Sequence, residues 1–224
     1  MQNSLIIRPA GRCAYHECYD AMVRFTRSRN NQTADELWWL EHEPVYTLGM
    51  AGKSEHILKA GQIPVVKTDR GGQVTYHGPG QLIVYLLLDL QRIGLTIKRY
   101  VYLIEQSIIG LCDQLGIDAH RREGAPGVYV DNMKLAALGI RVKQGCSYHG
   151  LALNVDMDLA PFDNINPCGY PGLPVTRLAE LGQQMTVTDT FYLLLPHLLE
   201  YLGIAAYREV SMPEYPDFRN NRAM

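Results

Sequence analysis

Apolar residues recur at helical spacing in three stretches of the chain. Residues 14–29, 97–115 and 188–202 each carry apolar side chains at steps of three and four, which predicts helices with one buried face. Shorter helices are predicted at 54–59 and 176–181. The stretch 97–115 has the clearest stripe, formed by Ile97, Tyr100, Val101, Ile104, Ile108, Leu111 and Leu115.

The third long helix has recognisable end signals. Thr188 is a residue type that favours the N-cap, and Asp189 behind it places a negative charge near the helix start. Gly203 follows the last apolar residue and provides a natural stop. We therefore expect this helix to begin at Thr188 and to end at Leu202.

Strand-like runs occur in two blocks rather than in alternation with helices. The first block contains runs at 37–40, 45–48, 65–66, 74–76 and 82–88, and the second contains runs at 127–130, 134–142 and 148–155. Asp131-Asn132 has the chemistry of a hairpin turn. This order predicts an α+β fold with mixed, largely antiparallel sheets flanked by helices. Without a repeat or linker, we expect a single domain over residues 1–224, with a loosely ordered tail at 211–224.

Composition excludes several broad classes. Of the 224 residues, 47% are hydrophobic and 20% are charged, which is typical of a chain with a packed core and not of a disordered one. The net charge of −2 argues against nucleic acid as a partner. The longest apolar run, 82–88, is far shorter than the roughly 20 residues of a membrane span, and residues 5–7 are too short for a signal-peptide core. We expect a cytoplasmic protein that does not bind membranes.

The cysteines and histidines show no metal-binding pattern. Five cysteines are scattered along the chain, at positions 13, 18, 112, 146 and 168, without a CxxC pair. Because the cytosol keeps thiols reduced, we expect all five to be free. The histidines form neither HxH nor HExxH, so no metal site is expected from neighbouring ligands, although ligands distant in sequence could still converge.

One segment, RGGQVTYHGPGQ at 70–81, concentrates residues suited to ligand binding. Its paired glycines, Gly71 and Gly72, permit close approach of the backbone to a ligand, and Arg70 adds a forked cation. Thr75, Tyr76 and His77 add hydrogen-bonding groups. The alternative is an ordinary glycine-bearing turn.

Two further segments each contain one reactive side chain. Lys134 begins an otherwise apolar strand, and burial would lower its pKa and make it a proton acceptor, unless the side chain extends to solvent. Cys168 stands in the rigid turn Asn166-Pro167-Cys168-Gly169. A cysteine thiolate is a nucleophile, and a nearby cation stabilises it. The alternative for Cys168 is an inert loop cysteine.

Nucleotide-binding motifs are absent from the sequence. Gly52-Lys53-Ser54 resembles the end of a P-loop, but Thr47 stands where that motif requires glycine. GxGxxG does not occur either. We therefore expect no cofactor.

Four segments together resemble the octanoyltransferases of lipoate synthesis, the lipoyl(octanoyl) protein transferase B family. They are RGGQVTYHGPGQ at 70–81, KLAALGIRV at 134–142, SYHGLALNV at 147–155 and FDNINPCG at 162–169. The resemblance covers roughly residues 35–185. It implies a fold similar to the catalytic domain of biotin and lipoate ligases.

The resemblance also implies an activity and a site. Such enzymes transfer an octanoyl group from octanoyl-acyl carrier protein to a lysine of lipoyl domains, in the 2-oxoacid dehydrogenases and the glycine cleavage H protein, without ATP. Cys168 would carry the acyl group as a thioester, and Lys134 would be its catalytic partner. The implied substrate-binding residues are Arg70, Gly71, Gly72, Gln73, Val74, Thr75, Tyr76, His77, Ala137, Leu138, Gly139, His149, Gly150, Leu151 and Ala152. For His77 and His149, both site shaping and proton transfer remain open.

Two alternatives belong to other functional classes. An ATP-dependent lipoate or biotin-type ligase would share the fold and a lysine near the acyl group, but would form an adenylate and need no cysteine. The biotin-ligase GRGRxxR loop is missing here, and Cys168 is present. A non-catalytic module that binds the carrier protein is the second alternative, against which the intact pair of Cys168 and Lys134 argues.

Overall fold

The computed structural model describes residues 5–211, which form two β-sheets and three α-helices. The helices are α1 (Tyr15–Ser28), α2 (Ile97–Gln114) and α3 (Val187–Leu202). The strands are β1 (Leu5–Cys13), β2 (Glu36–His42), β3 (Val45–Leu48), β4 (Val65–Lys67), β5 (Val74–His77), β6 (Gln81–Leu87), β7 (Ala119–Arg121), β8 (Gly127–Val130), β9 (Met133–Lys143), β10 (Cys146–Asn154) and β11 (Tyr207–Glu209).

The larger sheet has eight strands in the order β11-β1-β2-β6-β10-β9-β8-β7. The pairs β11–β1 and β1–β2 are parallel, and the other five pairs are antiparallel. The expected α+β fold with a mixed, largely antiparallel sheet is confirmed. The second sheet, β4-β3-β5, combines one parallel and one antiparallel pair.

Strand β6 lies at the centre of the larger sheet, and its continuous apolar run follows from that position. Leu82, Val84 and Leu86 face one hydrophobic cluster, and Ile83, Tyr85 and Leu87 face another. Successive side chains of a strand point to opposite faces, so a strand covered on both faces is apolar at every position.

Helices cover the two faces of this sheet. The buried stripe of α1, with Met22 and Phe25, packs on the face of Tyr85, whereas α2 and α3 pack on the face of Val84. None of the helices within residues 5–211 has the length and apolar character required to cross a membrane.

The smaller sheet supports the turn that contains Cys168. Tyr46 of β3 and Tyr76 of β5 join a third apolar cluster with Phe162. From this cluster the chain continues to Asn166, whose N–H donates to the His56 carbonyl at 2.8 Å. The segment that leads into the turn at Cys168 is therefore attached to the smaller sheet and its apolar cluster.

Several details differ from the sequence-based expectations. The helix expected at 54–59 is a single 3₁₀ turn, Ser54–His56, and the one expected at 176–181 is a 3₁₀ turn at Leu178–Leu181. Strands β1, β7 and β11 were not predicted. The expected tail at 211–224 lies, apart from Ser211, outside the described residues.

The N-cap of α3 is Thr186 rather than Thr188. The Asp189 N–H donates to Thr186 Oγ1 at 3.1 Å, and the Asp189 carboxylate accepts in return from the Thr186 N–H. This reciprocal capping box satisfies two helix-end donors, which Thr188, already inside the helix, does not do.

Thr186→Ala should therefore lower the free energy of unfolding by about 1 kcal/mol, because it removes the acceptor at the start of α3. Thr188→Ala is the matched control and should change it by less than about 0.5 kcal/mol. Urea denaturation of both variants measures the difference. Equal losses would contradict the assignment of the cap.

Candidate active site

The amine of Lys134 and the sulfur of Cys168 are in direct contact. Lys134 Nζ donates a hydrogen bond to Cys168 Sγ at 2.8 Å. Cys168 lies in the 3₁₀ turn Pro167–Gly169 with φ at 57°, in the left-handed region that non-glycine residues rarely adopt. Residues held in such sparsely populated conformations cluster at functional sites. Lys134 is 4% exposed, so solvent reaches the contact only from the side of Cys168.

A β-bulge directs Lys134 towards this contact. Val128 pairs with Ala136, but Tyr129 pairs with Lys134, so Leu135 is an extra residue on β9. Leu135 and Ala136 both join the same hydrophobic cluster, whereas consecutive residues of a regular strand face opposite sides of the sheet. Bulges redirect side chains in this way, often next to active sites.

The loop that contains Cys168 returns to Lys134 and pairs with it. The Lys134 N–H donates to the Pro174 carbonyl at 2.9 Å, and the Thr176 N–H donates to the Lys134 carbonyl at 3.0 Å. The backbone of Lys134 is therefore bonded to the segment that follows Cys168, and its side chain is bonded to Cys168 itself.

The surroundings of Lys134 stabilise its charged form. Nζ also donates to the Pro126 carbonyl at 3.0 Å and lies 5.2 Å from the centre of the Tyr129 ring, within cation–π range. Burial alone would lower the pKa of Lys134, but the charge and hydrogen bond of Cys168, with Tyr129, outweigh it and the pKa is raised. The expectation of a lowered pKa is therefore wrong for the resting pair.

Cys168 opens onto a pocket with a mostly apolar lining. The pocket holds about 520 Å³ of empty space, a volume that includes open solvent at its mouth. The expected residues that line it are Arg70, Gly72, Gln73, Val74, Thr75, His77, Ala137, Leu138, Gly139, His149, Gly150, Leu151, Ala152 and Cys168. Lys134 lines a smaller neighbouring cavity, also bordered by Cys168.

Two expected residues do not line the pocket. Along β5, Thr75 and His77 share the pocket face, so Tyr76 points to the opposite side and its ring packs 5.6 Å from that of Phe162. The Gly71 N–H donates to the Ile140 carbonyl at 3.2 Å, which connects the loop before β5 to strand β9. Gly71 and Tyr76 therefore support the shape of the pocket but do not line it.

Three lining residues were missed by the sequence analysis, namely Tyr15, Ile83 and Tyr85. The last two belong to the run at 82–88, where the alternation of faces could have indicated them. Tyr15, the first residue of α1, had no local signal.

The backbone of SYHGLALNV explains part of that motif. His149 has φ at 60°, and a Cβ on Gly150 would lie 1.8 Å from the Val84 carbonyl oxygen. Only glycine permits β10 to approach β6 this closely at the pocket.

Arg70 is a structural cation rather than a free binding group. It is 7% exposed and donates to the carbonyls of Thr47, Gly71 and Gln73 at 2.6, 2.8 and 2.7 Å. Burial lowers its pKa. Its fork therefore fixes the loop that forms one wall of the pocket.

The two candidate histidines are neutral hydrogen-bonding groups. His77 contacts Gln81 Oε1 through Nδ1 at 2.8 Å and Thr47 Oγ1 through Nε2 at 3.3 Å, and burial lowers its pKa to about 3. His149 Nε2 donates to Asp69 at 3.0 Å, and burial lowers its pKa although Asp69 opposes the shift. This arrangement favours shaping of the site over proton transfer.

The expectation of five free thiols is wrong for Cys13 and Cys18. The structure joins them in a disulfide, and only Cys112, Cys146 and Cys168 are free. With His42 they form a group whose ligand atoms lie within 4.8 Å of one another. Thiolates are the sulfur ligands of metals, so the disulfide leaves only the imidazole nitrogen as a ligand there.

The fold and the site together define an acyl-transfer or ligase type of protein, and comparison with known proteins makes the family specific. The lipoyl protein ligase A/B catalytic domain family matches residues 15–198. The chain belongs to this family.

Two relatives with similar sequences have the same name, octanoyltransferase. The chain is 58% identical over 187 residues to an octanoyltransferase of Thiobacillus denitrificans. The alignment covers 84% of this chain and 86% of that protein. It is 52% identical over 216 residues to an octanoyltransferase of Shewanella oneidensis, covering 92% and 100%.

Solved structures confirm the similarity of fold to lipoate and biotin ligases. A bi-partite lipoate protein ligase from Thermoplasma acidophilum superimposes with a TM-score of 0.74 at 17% identity, covering 96% of this chain and 88% of that one. The biotin protein ligase of Aquifex aeolicus gives 0.53 at 12% identity, covering 90% and 70%. At these identities the likeness concerns the fold alone.

Lys134→Ala should move the pH midpoint for alkylation of Cys168 upward, because it removes the cation that stabilises the thiolate. Octanoyl transfer should fall by about 10²- to 10⁴-fold with the loss of an acid–base group. Iodoacetamide labelling followed by peptide mapping measures the profile. Cys112 is the internal control, because burial raises the pKa of its thiol to about 12. An unchanged profile at Cys168 would remove Lys134 from thiol activation.

Proposed function

We propose that this protein transfers an octanoyl group from octanoyl-acyl carrier protein to a lysine of lipoyl domains through a thioester on Cys168. The contact of 2.8 Å between Lys134 Nζ and Cys168 Sγ, at the wall of an apolar pocket, carries the proposal. The names of relatives at 52–58% identity support it.

In the first half-reaction, the Cys168 thiolate attacks the carbonyl carbon of the carrier thioester. A carbon–sulfur bond forms to Cys168, the bond to the pantetheine sulfur breaks, and that sulfur leaves as a thiolate that takes up a proton. One thioester replaces another, so little free energy changes and no nucleotide is needed.

In the second half-reaction, the amine of the acceptor lysine attacks the acyl-enzyme. An amide forms, the Cys168 thiolate departs, and the attacking nitrogen loses a proton. Lys134 can take up that proton, because acylation removes the negative charge on Cys168 that raised its pKa, and burial opposes its charged form, so more of its amine is neutral and able to accept a proton.

The pocket accounts for an aliphatic acyl group. Its lining includes Val74, Ile83, Leu138 and Leu151, which surround the space next to Cys168. Each buried methylene contributes about 0.8 kcal/mol, so the six methylenes of an octanoyl chain contribute about 5 kcal/mol. The apolar lining therefore favours an aliphatic acyl chain over a polar one.

The proposal extends to partners, compartment and domain organisation. The acceptors are the lipoyl domains of 2-oxoacid dehydrogenases and the glycine cleavage H protein, and the compartment is the cytoplasm. Residues 1–224 form one catalytic domain. The pairing of β11 with β1 supports this, because it joins both ends of the described chain in one sheet.

Cys168→Ala should abolish the acyl-enzyme and, with it, octanoyl transfer, while the protein remains folded. The protein without substitutions is mixed with octanoyl-acyl carrier protein in the absence of an acceptor. Intact-mass measurement should then show that it has gained one octanoyl group. Cys146→Ala is the matched control and should retain the adduct. An adduct on Cys168→Ala, or transfer by that variant at an unchanged rate, would contradict the proposal.

An ATP-dependent ligase is the second candidate, because the family that matches residues 15–198 includes lipoyl protein ligases. Such an enzyme would convert free octanoate and ATP into an acyl-adenylate and release pyrophosphate. We expect no pyrophosphate from this protein, and its release would favour the ligase.

A further inference from the structure

Glu105 is a buried carboxylate in the apolar stripe of α2. The residue is 6% exposed and lies between the core residues Ile104 and Ile108. Burial raises the pKa of this carboxyl, whereas the Gly127 N–H, Arg121 and Lys134 oppose the rise. A buried charge is costly unless it is paired, so its position needs an explanation.

The carboxylate of Glu105 and the amine of Lys134 bind opposite ends of one peptide unit. Glu105 Oε1 accepts from the Gly127 N–H at 2.8 Å, and the Pro126 carbonyl accepts from Lys134 Nζ at 3.0 Å. The peptide group is planar and stiff, so the two hydrogen bonds have a fixed mutual orientation. Hydrogen bonds in such a chain also polarise and strengthen one another.

Gly127 permits this peptide to lie directly against Lys134. Its φ is 141°, and a Cβ there would lie 2.6 Å from the Ala136 carbonyl oxygen and 2.7 Å from Lys134 Cε. A side chain at this position would separate the peptide from the lysine.

Charges along this path alternate in sign. Arg121 Nε lies 4.0 Å from Glu105 Oε2, and the order continues from Glu105 through the peptide to Lys134 and then to Cys168. Other ionisable groups also lie near the pair. Tyr129 has its ring centre 5.2 Å from Lys134 Nζ, and Arg122 is stacked on that ring at 4.5 Å. Arg70 interacts electrostatically with Cys168, and His56 contacts Asn166 in the same turn as Cys168.

We propose that Glu105 is a positioning residue that acts through the Pro126–Gly127 peptide to hold the Lys134 ammonium against Cys168. Its negative charge and its hydrogen bond to Gly127 make the Pro126 carbonyl a stronger acceptor. The functional part of the inference rests on the proposed role of Lys134 and Cys168 in octanoyl transfer. A purely structural role, satisfying the N–H at the start of β8, is the alternative that the test must separate.

Glu105→Gln keeps an oxygen acceptor for the Gly127 N–H but removes the charge. The pH midpoint for iodoacetamide alkylation of Cys168 should move upward, because a less stabilised ammonium supports the thiolate less. In octanoyl transfer, kcat should fall about tenfold with KM for the carrier protein unchanged, because a neutral hydrogen bond replaces a charge-assisted one. The alkylation assay needs no acyl donor, so it tests the inference even if the proposed substrate is wrong.

A double variant separates an effect through Lys134 from a general disturbance. In a Lys134→Ala background, Glu105→Gln should produce no further change in the alkylation midpoint. Glu36→Gln is the matched control, since Glu36 is also a buried carboxylate but bonds to Arg8 and Trp38. It should lower the melting temperature without moving the midpoint. An unchanged midpoint in folded Glu105→Gln, or the same change with and without Lys134, would overturn the inference.

A reciprocal measurement applies if Glu105→Gln does not fold. Coupling between two sites is mutual, so Lys134→Ala should raise the pH at which the Glu105 carboxyl titrates. Carbon-13 NMR of the labelled carboxyl group, in the otherwise wild-type chain and in this variant, measures that midpoint. Equal midpoints would show that the two residues are uncoupled and would overturn the inference.

Discussion

The contact between a buried lysine and a cysteine sulfur is the interaction on which the rest of this site depends. An ammonium removed from water is stable only if charge and hydrogen bonds replace its hydration. Lys134 obtains these from Cys168 and from the Pro126 carbonyl, at 2.8 and 3.0 Å. The bulge at Leu135, the left-handed turn at Cys168 and the pairing of residues 174–176 with β9 all serve to keep these distances short.

Because the lysine depends on the charge of the sulfur, the state of Cys168 determines whether Lys134 keeps its proton or can accept one. While the sulfur is charged, the lysine keeps its proton, because the pair outweighs the effect of burial. In the proposed acyl-enzyme the sulfur carries no negative charge, so the pKa of Lys134 is lower and more of its amine is neutral and able to act as a base. One side chain can thus stabilise the nucleophile in the first half-reaction and accept a proton in the second. A histidine pair such as His42 and His77 would not offer this, because burial keeps both neutral throughout.

Local patterns were sufficient for the elements that their own residues define, and insufficient for those that depend on distant partners. The apolar run of β6 and the stripe of α2 were found because burial imposes a period on the sequence itself. Strand β1 contains Pro9 and Gly11 and is stabilised by its parallel pairing with β2, so its own sequence gives little indication of it. The four motif segments led to Cys168 and Lys134, whereas the role of Glu105 depends on a contact between α2 and the start of β8, which no spacing in the sequence encodes.

The fold alone does not determine which reaction the protein performs. The cysteine in the turn at Cys168 restricts the possible reactions. Ligases and transferases can have the same fold, because the activity depends on a few side chains that the fold positions. A ligase needs a nucleotide because a free acid is a poor acyl donor, whereas a thioester already carries the necessary activation. A chain that offers an ammonium-paired sulfur at the wall of an apolar pocket is suited to take over such an activated acyl group and to release it as an amide. The step from thioester to amide is then the one that makes the sequence of reactions irreversible.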